Sequence, residues 1–213
     1  NSYNFTHPFL RKIEGFEQDS ICLIAQSQSH TYGELLDSTR NALNLLNDIK
    51  ANSVIGIIGD YDLETLAFFL ACVEKGFIVT PLSASLAPKD SIFSPMLQSC
   101  IKEGQIDYLF YNNTLHSTHN TDEKHSIITS LQANHTSGLI LFSSGSTGKP
   151  KAIVHNLNTL LESYCNKRQN PLRIMSVYLP DHIAGIDVML NTFGSGGSLI
   201  IPKERRPQWI LES

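Results

Sequence analysis

Between Leu139-Ile140-Leu141-Phe142 and Ala152-Ile153-Val154, two apolar runs, stand nine polar or glycine-bearing residues: Ser143-Ser144-Gly145-Ser146-Thr147-Gly148-Lys149-Pro150-Lys151. Serine and threonine hydroxyls donate hydrogen bonds. Glycines let backbone N–H groups converge as a nest, and lysine adds positive charge. Together these groups suit a phosphate oxyanion. The same composition also makes an ordinary polar hairpin turn, and composition alone leaves both readings open.

Two better-defined motifs do not fit. The P-loop requires G-x-x-x-x-G-K-S/T. Here Pro150 follows Gly148-Lys149, and Ser143 occupies the place of the first glycine. The loop also runs into a strand-like segment rather than a helix, so a phosphate site on a helix N-terminus is excluded. A nucleophile elbow needs glycines two before and two after its serine, and no serine here has both.

A 213-residue chain with 41% apolar and 17% charged residues is long enough for a core and reads as globular. The net charge of -4, with Lys203-Glu204-Arg205-Arg206 as the one basic knot, argues against a broad nucleic-acid surface. Cys22, Cys72, Cys100 and Cys165 are scattered, which predicts free thiols in a reducing compartment, the cytoplasm. No apolar run reaches the roughly 18 residues of a membrane span, and no secretory signal opens the chain. The first residue is Asn, and Trp209-Ile210-Leu211-Glu212-Ser213 reads as the start of a helix. The expectation is a piece of a longer protein.

The elements that would position the loop alternate. Residues 21–26 read as a strand, and Thr31 with Glu34 three positions on forms a capping box for the next helix. Val54–Ile58 reads as a strand and Leu63–Lys75 as a helix closed by Gly76. Strands at 77–79 (ended by Pro81) and 108–111 flank a helix over 90–103. Residues 112–136 form a polar, exposed connection with a short strand at Ile127-Ile128. Then come strands at 139–142 and 152–154, a helix at about 156–168, a strand at 173–178 and a helix at about 183–193. A hairpin-like turn at 194–197 leads to a last strand over 198–201. This alternation predicts an α/β fold with a mostly parallel sheet flanked by helices. Ligands in such sheets sit beyond the strand carboxyl ends, which is where residues 143–151 fall.

The loop resembles the phosphate-binding signature of the adenylate-forming enzymes: acyl- and aryl-CoA synthetases, luciferases and peptide-synthetase adenylation domains. Their usual pattern is Thr/Ser-Ser-Gly-Ser/Thr-Thr-Gly-x-Pro-Lys-Gly. Ser143, Ser144, Gly145, Ser146, Thr147, Gly148, Pro150 and Lys151 match; Lys149 falls on the variable position and Ala152 replaces the last glycine. Thr31-Tyr32-Gly33-Glu34-Leu35, the 77–82 segment ending Pro81-Leu82, Leu179-Pro180-Asp181-His182-Ile183-Ala184-Gly185 and Gly196-Gly197-Ser198-Leu199 resemble further family segments. The likeness spans the chain but only the N-terminal part of the family's large domain.

The resemblance implies an ATP-dependent ligase that activates a carboxylic acid as its adenylate. The acyl group then passes to coenzyme A or a carrier protein's phosphopantetheine. It implies that Ser143, Ser144, Ser146 and Thr147 hydroxyls and Gly145 and Gly148 amides bind the ATP phosphates. Lys151 braces the loop and, with Thr147, serves catalysis. His182, Ala184 and Gly185 line the carboxylate or acyl pocket; Asp181 caps a helix, and Lys149 is exposed. Mg2+ would be held chiefly by residues beyond Ser213, with those for adenine, ribose and the catalytic lysine, so the chain alone is expected to be inactive. No metal site is expected among the scattered histidines. The His182-Ile183-Ala184-Gly185 run favours a plain or fatty acid, although Asp181 and Asp187 keep an amino acid open. Two rival readings remain: a non-catalytic nucleotide- or partner-binding domain of the same fold, and a serine-rich amidohydrolase.

Overall fold

The computed structural model describes residues 3–144 and 146–205. In chain order its elements begin with α1 (Pro8–Glu14), β1 (Ile21–Ala25), β2 (Gln28–Thr31), α2 (Tyr32–Leu43), β3 (Val54–Ile58), α3 (Leu63–Lys75) and β4 (Ile78–Leu82). Next come α4 (Pro95–Gly104), β5 (Tyr108–Tyr111), β6 (Thr114–Ser117), α5 (Ser126–Ala133), β7 (Gly138–Ser144) and β8 (Pro150–Asn156). The last are α6 (Leu157–Cys165), β9 (Arg173–Met175), α7 (Ile183–Gly194) and β10 (Ser198–Ile200).

These strands form two sheets, in the orders β2-β1-β10-β9 and β6-β5-β3-β4-β7-β8. Inner pairings are parallel; β2, β6 and β8 each join antiparallel at an edge. The larger sheet is buried on both faces, which is why β3 is apolar throughout. Ile55 and Ile57 face the core shared with α2, α3, α6 and α7, while Val54 and Ile58 face a second core under α4 and α5. Gly56 falls where a Cβ would stand 2.7 Å from Leu109, so the small residue sets how closely that layer packs.

Local chemistry fixes the helix ends. The amide of Glu34 donates to Thr31 Oγ1 and the amide of Thr31 donates to Glu34 Oε2, closing the expected capping box. Asp62 caps α3 by accepting from the Thr65 amide, and Gly76 ends it in the left-handed conformation, φ +74°. Asn156 caps α6 in the same way as Asp62.

Several expectations shift. Pro81 lies inside β4 instead of ending the strand. It sits past the only register pair of β4 with β7, Val79 with Leu139, where a missing N–H disturbs little of that ladder. α4 starts at Pro95, because Asp90 and Ser91 have positive φ and Ser94 makes the cap. Ile127-Ile128 belongs to a helix, α5, in which one side buries Ile128. The turn at 194–197 makes no hairpin: it leads from α7 into a strand parallel to β9 and β1. α1, β2 and β6 complete the architecture without having been expected. The helix expected at 209–213 lies outside the described residues.

His7 caps α1, its Nδ1 accepting from the Phe9 amide at 3.1 Å. Burial holds its pKa below the ordinary 6.5, with the Glu74 carboxylate pulling the other way. The unfolded chain therefore takes up this proton more readily than the folded one, so stability falls as pH drops below about 6.5 and is full above it. His7→Asn, which keeps a capping acceptor, is expected to flatten this part of the stability–pH curve; an unchanged slope would place the dependence elsewhere. Thr31→Ala is expected to lower unfolding free energy by about 1 kcal/mol, read as an earlier midpoint in urea.

Candidate active site

β7 and β8 form an antiparallel hairpin in which Ser143 pairs with Lys151 and Ser144 with Pro150. Between them, Ser146, Thr147, Gly148 and Lys149 are exposed, with both hydroxyl-bearing residues open to solvent. Gly148 has φ +74°, a conformation that favours glycine, and a Cβ there would have nothing within 4 Å. Gly145 and the side chain of Ser144 lie outside the described residues. The loop is thus a hairpin tip in shape, carried at the carboxyl end of a strand parallel to β4.

A cavity of about 230 Å³ opens beside the loop. Ser143, Gly148 and Lys149 line it, together with Asp181 from the segment before α7. Its apolar wall comes from the end of β4, the following turn, α4 and Phe142. Lys149 is exposed, as expected, and also flanks this cavity; the loop's polarity gave no sign of the apolar residues behind it. Lys151 is directed elsewhere: it lines a separate hollow of about 490 Å³ with Lys102, Gln105, His125 and Ile128.

The residues after β9 are also placed. His182, not Asp181, is the N-cap of α7, and it makes no capping hydrogen bond through its side chain. His182 is exposed, with Nε2 3.9 Å from Asp181 Oδ1. That oxygen of Asp181 is buried without a hydrogen-bond partner among the described residues. Asp187 accepts a hydrogen bond from the Tyr164 hydroxyl. Gly185 is buried where a Cβ would stand 2.1 Å from the Leu179 carbonyl oxygen and 2.5 Å from the Tyr61 hydroxyl; Ala184 is half-buried beside it. None of His182, Ala184 and Gly185 lines the cavity beside the loop.

A bidentate ion pair that sequence reasoning missed stands nearby. Arg205 Nη1 and Nη2 donate to Asp60 Oδ2 and Oδ1 at 2.8 and 2.7 Å, with the guanidinium 5.9 Å from the Tyr61 ring centroid. Burial raises the Asp60 pKa, but the bonds from Arg205 and the Tyr61 amide outweigh it and hold the carboxyl below its ordinary value. Burial pushes the Tyr61 phenol up to about 12. Pairing across 145 residues leaves no local signal in a single sequence. Among the described residues no group of three or more His, Cys, Asp or Glu side chains could hold a metal ion. No helix there is long and apolar enough to cross a membrane. The four cysteines are unpaired.

Two largely parallel sheets between helix layers, with a serine- and glycine-bearing hairpin at a strand's carboxyl end, define an α/β fold that presents polar groups from its loops. The chain belongs to the AMP-binding enzyme family, whose model matches residues 97–212. It is 30% identical over 104 residues to a probable CoA ligase of Humulus lupulus, covering 48% of this chain and 15% of that protein. It is 25% identical over 159 residues to a nonribosomal peptide synthetase of Aspergillus flavus, covering 64% of this chain and 2% of that protein. The fold matches the N-terminal subdomain of Klebsiella oxytoca NpsA with TM-score 0.69 at 19% identity, over 96% of this chain and 55% of that one. It also matches the N-terminal domain of FACL13 from Mycobacterium tuberculosis with TM-score 0.71 at 13% identity, over 96% and 58%. The chain thus spans little more than half of these solved structures and a small share of the two sequence relatives.

Gly185→Ala is expected to cost about 1–3 kcal/mol, since the new methyl meets backbone as well as a tyrosine hydroxyl. The loss would be read from thermal unfolding, and an unchanged midpoint would contradict the close packing of α7 on the Leu179 segment.

Proposed function

We propose that this chain is part of an ATP-dependent ligase that converts a carboxylic acid to its acyl-adenylate and passes the acyl group to a thiol. The carrying observation is the hairpin loop: exposed Ser146 and Thr147 hydroxyls beside Gly148, which holds a left-handed backbone of φ +74° in open space. Hydroxyl and backbone donors exposed together on one loop suit a polyphosphate. One sequence relative is a probable CoA ligase and the other a nonribosomal peptide synthetase.

In the reaction, a carboxylate oxygen bonds to the α-phosphorus of ATP while the bond to the β-phosphate oxygen breaks and pyrophosphate leaves. Charge grows on that leaving group. Donors fixed beforehand around it lower the barrier. Ser144, Ser146 and Thr147 hydroxyls and the Gly145 and Gly148 amides are assigned this role, with Ser143 at the loop's base. Lys151 braces the hairpin opposite Ser143 and adds charge. Mg2+ would ride on the ATP phosphates, with its protein ligands chiefly outside this chain. His182, Ala184 and Gly185 are assigned to the substrate's carboxylate or acyl side. The acceptor is coenzyme A or the phosphopantetheine of a carrier protein. Unpaired, mostly buried cysteines fit a reducing compartment such as the cytoplasm.

The test is ATP–pyrophosphate exchange by the full natural chain with a panel of carboxylic acids. Exchange with at least one acid is expected, and Thr147→Ala and Lys151→Ala should each lower its kcat by about 10²-fold. MgATP binding with no exchange across the panel would overturn the ligase reading in favour of a nucleotide-binding domain.

A further inference from the structure

We infer that Tyr61, held in place by the Asp60–Arg205 pair, is a positioning residue for the acid substrate: it fixes the start of α7, where His182, Ala184 and Gly185 stand. The inference rests on the ligase reading. It adds residues that belong neither to the hairpin loop nor to the segment assigned to the acid.

Local chemistry alone holds the start of α7 loosely. His182, its N-cap residue, makes no capping hydrogen bond through its side chain, unlike Asp62 at α3 and Asn156 at α6. Backbone bonds shape the turn: the amides of His182 and Ile186 donate to the carbonyls of Leu179 and His182 at 3.2 and 3.0 Å. Where that turn lies is set by packing from another element. Tyr61 comes from the turn between β3 and α3 and is 2% exposed. Its hydroxyl stands against Gly185, where a Cβ would come within 2.5 Å of it. The Leu179 carbonyl oxygen closes the same spot at 2.1 Å. The first turn of α7 is thus seated on the tyrosine with no side chain between them.

Tyr61 is held in its turn. Its amide donates to Asp60 Oδ1 at 2.7 Å, and the same carboxylate takes both terminal nitrogens of Arg205. The guanidinium lies 5.9 Å from the Tyr61 ring centroid, within the range of cation–π attraction. It also interacts electrostatically with Asp181, the residue before His182. A planar fork that engages a carboxylate at two points is directional, so it fixes Asp60 more closely than a single point charge would. Asp60 follows β3 and Arg205 follows β10, so the pair refers the start of α7 to both sheets. None of Asp60, Tyr61 and Arg205 lines the cavity beside the hairpin loop. The signature of this arrangement is an effect on the acid without an equal effect on ATP.

The test uses the full natural chain in ATP–pyrophosphate exchange, with the acid that gives the fastest exchange in the panel. Asp60→Asn and Arg205→Gln are each expected to lower kcat/KM for the acid by about 10-fold, mainly through KM, with KM for MgATP within about twofold of wild type. The double variant is expected to be no worse than either single one, because the two residues act as a unit. Arg205→Lys keeps the charge and loses the fork, and is expected to raise KM for the acid by about threefold. It decides the matter where the other variants fail to fold. Equal rises in KM for the acid and for MgATP would overturn the inference, as would a lowered thermal midpoint with both KM values unchanged. These outcomes leave the ligase reading intact. No exchange by the wild-type chain with any acid would remove that reading and the inference with it.

Discussion

A parallel sheet covered on both faces leaves its polar groups few places to go. β3, β4 and the first part of β7 are largely apolar on both sides, with buried Thr80 the exception in β4, because one side meets the α2–α3 core and the other meets α4 and α5. Hydrogen-bonding side chains are thereby driven to the connections at the strand ends. The 143–151 segment is one such connection, and its chemistry is possible because β7 stays in the sheet while its tip leaves it. The antiparallel return through β8 holds both stems of the loop in register from Gly138–Asn156 to Ser144–Pro150. A loop closed by seven register pairs is anchored at its base even though its tip is exposed.

The second constraint is the relation between the two sheets. Asp60 follows β3 in the larger sheet, and Arg205 follows β10 in the smaller. Their two-point hydrogen bond joins the carboxyl ends of inner strands from both sheets. The pair is part-buried, with Tyr61 alongside, so solvent screening weakens it less than a fully exposed pair.

Much of this was legible in the chain. The capping box at Thr31–Glu34, the glycine stop at Gly76 and the unbroken apolar run of β3 depend on neighbours within a few residues, and each stands where expected. The α/β class and the position of the loop followed from their alternation. Edge elements were harder. β2 and β6 are four-residue strands whose partners are adjacent hairpin arms, with too little alternation to signal them. α5 shows two isoleucines side by side, which reads equally as a strand, and the burial of Ile128 beneath it is set by tertiary packing. Pro81 stopped a strand on local rules, yet the strand continues where the neighbouring ladder has already ended.

The site divides along the same line. The loop was readable because its residues are contiguous. The cavity was not, since it joins residues from β4, α4, β7 and the segment before α7, separated by up to 100 positions. Two lysines at the loop illustrate the difference. Lys149 and Lys151 are two positions apart, with one proline between them, and a residue-type reading treats them as a single basic feature. The hairpin separates their surroundings: Lys149 borders the cavity that contains Asp181, and Lys151 borders a hollow beside α5. Charge at the loop is therefore divided between two environments, and the group that meets a small ligand need not be the one that steadies the hairpin.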